Sequence, residues 1–221
     1  MKSSWIDLAL VGILAFILGA AFAAGMTPAR SVRISVPAVV APATPAPLPF
    51  EALARAEAVP TVRILKGDNG SCSAVVIATG YAVTALHCKE AGDAKVDGHS
   101  IAKWREFSTK DIAVVEVPGL LCPCATLGKK AQIGERVAAV GFAYGLGTLL
   151  SYGEAQGDLV YKDEVYLNHN AFTEPGMSGG GVFALREGRA VLVAVTSRAA
   201  GSSALSVTVE GVPVAPAGIE G

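Results

Sequence analysis

Three residues of the chain are of the types that can together activate a hydroxyl group for attack on a carbonyl carbon. His87 lies at the end of the run YAVTALHC, Asp111 opens the apolar run DIAVVEV, and Ser178 lies in the glycine-rich segment EPGMSGGG. A serine hydroxyl is a poor nucleophile until an imidazole accepts its proton, and a carboxylate orients and stabilises that imidazole. Each residue has a simpler role when it is taken alone: a structural histidine, a strand cap and a turn serine. Together they are candidates for acyl transfer at a single site.

The glycines around Ser178 suit the third requirement of acyl transfer, a set of donors for the developing oxyanion. Glycine tolerates the backbone angles that a sharp turn needs. Such a turn would aim the N–H groups of Gly176 and Ser178 at one point. We therefore predict that these two groups form the oxyanion hole.

The elements that must position these residues are short strands. From Thr61 onward, runs rich in Val, Ile, Thr and aromatic residues alternate with Gly, Asp and Asn at intervals of about eight to twelve residues. No stretch after Pro60 has a helical period. The pattern is typical of an all-β barrel or sandwich, with His87 at the end of one strand and Asp111 at the start of another.

The local motifs resemble those of a known family. TALHC is similar to the histidine motif of trypsin-like serine proteases, DIAVV to their aspartate motif and GMSGG to their serine motif, in the same order. The segment GERVAAVGFAYGLGTLLSYGEA (134–155) resembles the one that precedes the serine loop in bacterial HtrA-type proteases. The resemblance spans 62–209. We expect no PDZ domain, since only a short tail follows the last predicted strand.

This resemblance implies two six-stranded antiparallel β-barrels of the trypsin-like type and a serine endopeptidase that acts through an acyl-enzyme. His87 would be the general base and acid, Asp111 its orienting acid and Ser178 the nucleophile. The implied partner is a protein or peptide substrate, and neither a metal nor an organic cofactor is implied. By motif position, the substrate pocket has Phe172 at or near its base, and its wall comprises Thr196, Ser197 and Ala199.

Specificity follows less directly from the motifs. There is no acidic residue six positions before Ser178, so a preference for Lys or Arg is not expected, and small or medium apolar residues are favoured. A glutamyl preference would need a basic group in the pocket, for which His169 is the nearest histidine; its alternative role is a surface or barrel-end residue.

The four cysteines fall into two pairs. The resemblance implies a disulfide between Cys72 and Cys88, beside the catalytic histidine, and this pair fits an oxidising compartment. Cys122 and Cys124 in LCPC have two alternatives, free surface thiols or a strained, redox-labile bond. Two cysteines alone do not complete a zinc site.

The N-terminal part predicts export. Residues 1–26 contain the apolar stretch 8–24, which as a helix spans about 25 Å and is either a signal peptide or an uncleaved membrane anchor. Residues 27–60 form a Pro/Ala-rich linker and 61–221 the protease domain. The predicted location is exported: anchored in the membrane and facing the periplasm or exterior, or secreted. An uncleaved segment would make the membrane a partner.

Composition excludes some function classes. With 18 Lys and Arg against 19 Asp and Glu, the net charge of −1 offers no basic excess that would attract nucleic acid. The alternative to an enzyme is a catalytically weak, protease-fold peptide-binding module tethered at the membrane. A thiol redox protein using CPC would need a thioredoxin-like alternation of strands and helices, which the pattern lacks.

Overall fold

The structure, a computed structural model, describes residues 49–107, 109–200 and 203–213. The predicted hydrophobic N-terminal helix and most of the predicted linker lie outside these residues. Within the described ranges, no helix is both long enough and apolar enough to cross a membrane.

The described chain is built almost entirely from β-strands, as the sequence predicts, and Val, Ile and Ala supply most of their buried positions. In chain order the strands are β1 (Val62–Gly67), β2 (Gly70–Ala78), β3 (Tyr81–Thr84), β4 (Lys95–Val96), β5 (His99–Ser100), β6 (Lys103–Glu106), β7 (Ala113–Glu116), β8 (Thr126–Leu127), β9 (Arg136–Ala143), β10 (Gly147–Tyr161), β11 (Glu164–His169), β12 (Gly181–Arg186), β13 (Arg189–Ala200) and β14 (Ser203–Thr208).

The strands form two sheets of seven strands each. The first has the order β5-β4-β1-β2-β3-β7-β6, and all its pairings are antiparallel. The second has the order β12-β9-β10-β11-β14-β13-β8, and an additional pairing of β12 with β13 closes six of its strands into a ring. The two-residue strand β8 is added in parallel outside that ring. The predicted trypsin-like double barrel is confirmed, with one strand more in each sheet than the predicted six.

The two faces of β2 explain how the sheets meet. Six consecutive residues of β2 are buried, which is unusual for an antiparallel strand with one face in water. Val76 belongs to the apolar cluster inside the first sheet. Val75 and Ile77 belong to a cluster that also contains Val140 and Val195 of the second sheet. β2 therefore joins the interior of the first barrel to the contact between the barrels.

A helical segment covers part of the second sheet. It begins as α1 (Pro49–Leu53) and continues through a π-helical turn (Ala54–Ala58) and a 3-10 turn (Val59–Thr61). Phe50, Ala54 and Ala58 are buried. The Glu57 carboxylate accepts a hydrogen bond from the Ala190 N–H at the start of β13. These residues fall at the end of the predicted linker, yet they pack against the barrel.

Candidate active site

His87 lies in a short 3-10 helix, Leu86–Ala91, that follows β3 directly. The next residue, Cys88, is buried and forms a disulfide with Cys72 on β2, with a Cα–Cα distance of 6.0 Å. The predicted pairing of these cysteines is confirmed. The bond ties the histidine-bearing helix to the strand that joins the two barrels, and the Cys88 Sγ lies 3.6 Å from the Ser178 carbonyl oxygen.

Removal of this disulfide is expected to lower stability substantially. The two cysteines are 16 residues apart, and the chain-entropy model assigns a crosslink of this span about 3 kcal/mol. The Cys72→Ala/Cys88→Ala variant should lose about that much free energy of unfolding in urea titrations. The matched control is Cys122→Ala/Cys124→Ala, whose residues are 2 apart and close a far smaller loop. Equal losses in the two variants would contradict the prediction.

Asp111 lies two residues before β7, and its side chain is only 9% exposed. One carboxylate oxygen lies 2.8 Å from Nδ1 of His87, and the other accepts the His87 backbone N–H at 2.9 Å. The Ser197 hydroxyl donates a further hydrogen bond to the first oxygen. Burial raises the pKa of Asp111, but the hydrogen bonds from the His87 ring, the Ser197 hydroxyl and the His87 N–H outweigh it and lower the pKa to about 2. Asp111 is therefore a carboxylate at neutral pH.

Ser178 is held in its turn by backbone hydrogen bonds from both sheets. Its carbonyl accepts the Ser73 N–H of β2 at 2.7 Å, and the neighbouring Gly179 N–H donates to the Thr196 carbonyl of β13 at 2.7 Å. A Cβ at Gly179 would lie 2.0 Å from the Ser73 carbonyl oxygen, so this position accepts only glycine. The motif glycine thus permits the close approach of three chain segments.

The Ser178 hydroxyl points to the same network as His87 and Asp111. It donates to the Ser197 carbonyl at 3.3 Å, while the Ser197 hydroxyl contacts Asp111. Among the described residues, no hydrogen bond joins the Ser178 hydroxyl directly to His87. Ser197 therefore connects Ser178 to the His87–Asp111 pair, and hydrogen bonds of this kind in ligand-free sites commonly tighten only in the substrate complex.

The loop before Ser178 leaves two N–H groups available. Gly176 has φ of +91°, and the Pro175 carbonyl before it accepts the Tyr144 N–H at 2.6 Å. This bond holds the Pro175 carbonyl against the backbone of Tyr144. Within the part of the chain that the structure describes, the N–H groups of Gly176 and Ser178 donate to no acceptor. Their role as the predicted oxyanion hole stays a prediction.

Ser73 and Tyr144 hold this loop, and neither is predicted from the sequence. The buried Ser73 hydroxyl donates to the Gly176 carbonyl at 2.9 Å and accepts the Phe142 N–H at 2.8 Å. Tyr144 has φ of +53°. In addition to the bond between its N–H and the Pro175 carbonyl, its side-chain hydroxyl lies 2.6 Å from the Glu174 carboxylate. A serine in a strand and a tyrosine in a turn carry no signal in the sequence that would single them out.

Of the four residues predicted for the substrate pocket, two are buried and two are exposed. Thr196 and Ser197 are buried, and Ser197 presents its carbonyl to Ser178, whereas Ala199 is exposed farther along β13. Phe172 is 58% exposed, and its backbone carbonyl accepts the Ser151 hydroxyl. Its predicted place at or near the base of the substrate pocket stays a prediction.

His169 does not supply a charged group to the site. It is fully buried, and its Nε2 lies 2.9 Å from the Ser206 hydroxyl. Burial lowers the pKa of His169 to about 4, so its ring is neutral at neutral pH. The surface part of its alternative role is wrong because the ring is buried, whereas its position as the last residue of β11 fits the barrel-end part.

The cysteines and histidines provide no open metal site among the described residues. The one cluster with ligand atoms close together comprises Cys72, His87 and Cys88, within 4.8 Å of one another, but both of its sulfur atoms are in the disulfide. Cys122 and Cys124 are also bonded to each other, so of the two alternatives for this pair the structure has the bonded one.

Comparison with known proteins places this chain in a family. Residues 70–195 match the family model of the trypsin-like peptidase domain. The match covers more than half of the chain, so the chain belongs to the trypsin-like peptidase family, as its motifs predict.

Solved structures with the same fold include proteases of two kinds. The active form of the Rv3671c protease from M. tuberculosis has 18% sequence identity and a TM-score of 0.64, over 76% of this chain and 84% of that chain. The HtrA-type protease AlgW with tripeptide has 20% identity and a TM-score of 0.60, over 74% of this chain and 60% of the AlgW chain. The sequence matches no curated protein significantly.

Proposed function

We propose that the chain is a serine endopeptidase with His87, Asp111 and Ser178 as its catalytic triad. Rotation of the Ser178 hydroxyl away from the Ser197 carbonyl toward His87 starts the reaction. His87 accepts the hydroxyl proton as Oγ attacks the peptide carbonyl, and the N–H groups of Gly176 and Ser178 stabilise the oxyanion. His87 then protonates the departing amine. A water molecule, deprotonated by the same ring, hydrolyses the acyl-enzyme.

The observation that carries this proposal is the pair of hydrogen bonds between His87 and Asp111, beside two free N–H groups around Ser178. The bond from Nδ1 at 2.8 Å leaves Nε2 as the proton acceptor. The backbone bond at 2.9 Å fixes the carboxylate in that orientation. This arrangement supports acyl transfer by Ser178 with His87 as its base.

The test is covalent labelling of the full chain with a fluorophosphonate probe. Wild type is expected to be labelled, and Ser178→Ala and His87→Ala are not. Ser151→Ala is the matched control, because that hydroxyl contacts the Phe172 carbonyl instead of the triad, and it should be labelled like wild type. A folded wild type that stays unlabelled would overturn the proposal.

Tyr144 is expected to support the reaction through the oxyanion loop. In Tyr144→Phe the backbone bond to Pro175 remains and the bond to Glu174 is lost. The loop should then populate the productive geometry less often, so kcat should fall by about two- to fivefold with little change in KM. Steady-state kinetics with a peptide substrate measure this split.

The control for Tyr144→Phe is Tyr161→Phe, an exposed tyrosine on β10 whose hydroxyl has no partner among the described residues. This variant should keep wild-type kcat. A similar fall in both variants, or a change confined to KM, would show that Tyr144 does not act through the oxyanion loop.

A second candidate function is a catalytically weak module that binds peptides in the same cleft. The bond from the Ser178 hydroxyl to the Ser197 carbonyl, in place of one to His87, favours it. Such a module would bind peptides and remain unlabelled by the probe, so the same experiment separates the two functions.

The proposed location is outside the cytoplasm, with 1–26 as signal or anchor, 27–48 as tether, and 49–60 packed against the protease domain 61–221. The disulfide beside His87 supports it, since such bonds persist in oxidising compartments. Mass analysis of the N-terminus of the expressed protein tests it. An intact Met1 would indicate an anchor, a start near Ala24 would indicate secretion, and Cys72 and Cys88 found as free thiols would argue against export.

A further inference from the structure

Arg198 lies on the strand that runs past the nucleophile. It follows Ser197 on β13, and its neighbour on one side is Leu205 of β14. On the other side, β13 pairs with β12 only as far as Val195. Among the described residues, the edge of β13 beyond Thr196 therefore has no partner strand on the side of Ser178.

Two tyrosine rings hold the Arg198 side chain in place. The guanidinium carbon lies 5.4 Å from the centre of the Tyr161 ring and 5.7 Å from that of Tyr166. Both rings belong to the β10–β11 hairpin, and Tyr166 is fixed by a hydrogen bond from its hydroxyl to Glu164. Stacking on two rings orients a long side chain that would otherwise sample many rotamers.

No carboxylate is dedicated to neutralising this guanidinium. Among the described residues, its one acidic neighbour within 4 Å is Asp111 at 3.8 Å, and that carboxylate already accepts hydrogen bonds from His87 and Ser197. The Nε group makes a long 3.4 Å bond to the Ser197 hydroxyl. By contrast, Arg186 is paired with Glu135 and with two backbone carbonyls. Arg198 is also 39% exposed, so its remaining donors can reach a ligand.

The position of Ser178 sets the register of a bound peptide. An extended substrate can add to the open edge of β13 as an antiparallel strand. The carbonyl that Ser178 attacks must lie next to Ser197, because the two residues are hydrogen-bonded. The residue before the cleaved one, P2, then lies opposite Arg198. Opposed residues of an antiparallel pair place their side chains on the same face.

We infer that Arg198 makes the enzyme select substrates with an acidic side chain at P2. The P2 carboxylate would pair with the solvent-accessible donors of the guanidinium. This inference rests on the proposed endopeptidase function and adds a substrate class to it. It concerns P2 and leaves the expectation of an apolar residue at the cleaved position unchanged.

The experiment compares peptides that are identical except for Glu, Gln or Lys at P2. With the full wild-type chain, kcat/KM should be about fivefold higher for Glu than for Gln, as expected of a partly exposed charge pair. The ratio should fall toward one in Arg198→Gln. In Arg198→Glu the preference should reverse in favour of Lys. Each ratio compares kcat/KM for two peptides on the same variant. An effect of the Arg198 substitution on Asp111 changes both values alike and leaves their ratio unchanged.

Lys162→Gln is the matched control, since Lys162 also lies over the Tyr161 ring but does not contact Asp111. It should keep the wild-type ratio. A wild-type ratio near one, or a ratio that Arg198→Gln leaves unchanged, would overturn the inference while fluorophosphonate labelling still upholds the endopeptidase. If wild type is neither labelled nor active, the proposed function fails instead. Fluorescence anisotropy of the same peptides on Ser178→Ala then decides the P2 preference by binding alone.

Discussion

Replacement of Ser178 with alanine is expected to lower kcat for peptide hydrolysis by about 10⁶-fold. The substitution removes the atom that forms the acyl bond and leaves His87 and the oxyanion donors in place. The residual rate over water then comes from the oxyanion hole and substrate binding alone. Steady-state kinetics with an internally quenched peptide measure the loss, with active-site titration to correct for contaminating protease.

The fold should tolerate this change, which makes the result interpretable. Among the described residues the Ser178 hydroxyl makes one hydrogen bond, at 3.3 Å, whereas backbone groups hold the turn. The free energy of unfolding should therefore change by less than about 1 kcal/mol. Substrate affinity should be retained as well. A folded Ser178→Ala variant that hydrolyses peptides within tenfold of wild type would refute the role of Ser178 as nucleophile.

The residues of the proposed triad could be singled out from the sequence because each lies in a short contiguous motif. Ser178 needs its own glycines, and the steric limit at Gly179 is the physical reason for them. His87 and Asp111 flank strands whose apolar runs are visible in the sequence. The local sequence thus specifies which functional side chain each segment carries, and the fold brings these side chains together.

The residues that support the triad could not be predicted, because their roles depend on pairing between distant segments. The Ser73 hydroxyl meets the Gly176 carbonyl 103 positions away, through the contact between the two sheets. The motif position of Ser197 predicts a wall residue of the substrate pocket, but its bond to Asp111, at the irregular register of β13 between Thr196 and Arg198, is not visible in the sequence. Nothing in a single strand's composition encodes such a contact.

The strands and helices also fall into two groups, those that their own sequence predicts and those that depend on contacts with distant segments. Long strands such as β9 and β13 follow from their apolar runs, whereas β4, β5 and β8 are two residues long and carry no periodic signal. The run EALARAEA is too short to be a stable helix alone. Burial of Ala54 and Ala58 against the barrel stabilises it, and that packing partner cannot be read from the run itself.

Asp111→Asn is expected to lower kcat by about 10⁴-fold while leaving the fold intact. Asparagine can keep its oxygen toward the backbone N–H of His87. Its NH₂ group then lies against Nδ1 of the His87 ring. Nδ1 must then act as an acceptor, so the ring carries its proton on Nε2. In that tautomer His87 cannot accept the proton of Ser178. The variant also loses the negative charge that stabilises the imidazolium formed during attack.

The division of the effect between kcat and KM distinguishes this role from a structural one. Asp111 is buried behind His87 and is not expected to touch the substrate, so KM should change little. Fluorophosphonate labelling should slow in parallel with kcat, since both need the same proton transfer. The matched control is Asp97→Asn, an exposed aspartate paired with Arg63, which should retain wild-type kcat. If Asp111→Asn kept its labelling rate, or if its defect lay in KM, Asp111 would be a structural residue, and His87 would have to be oriented by its contacts with the disulfide-bonded helix alone.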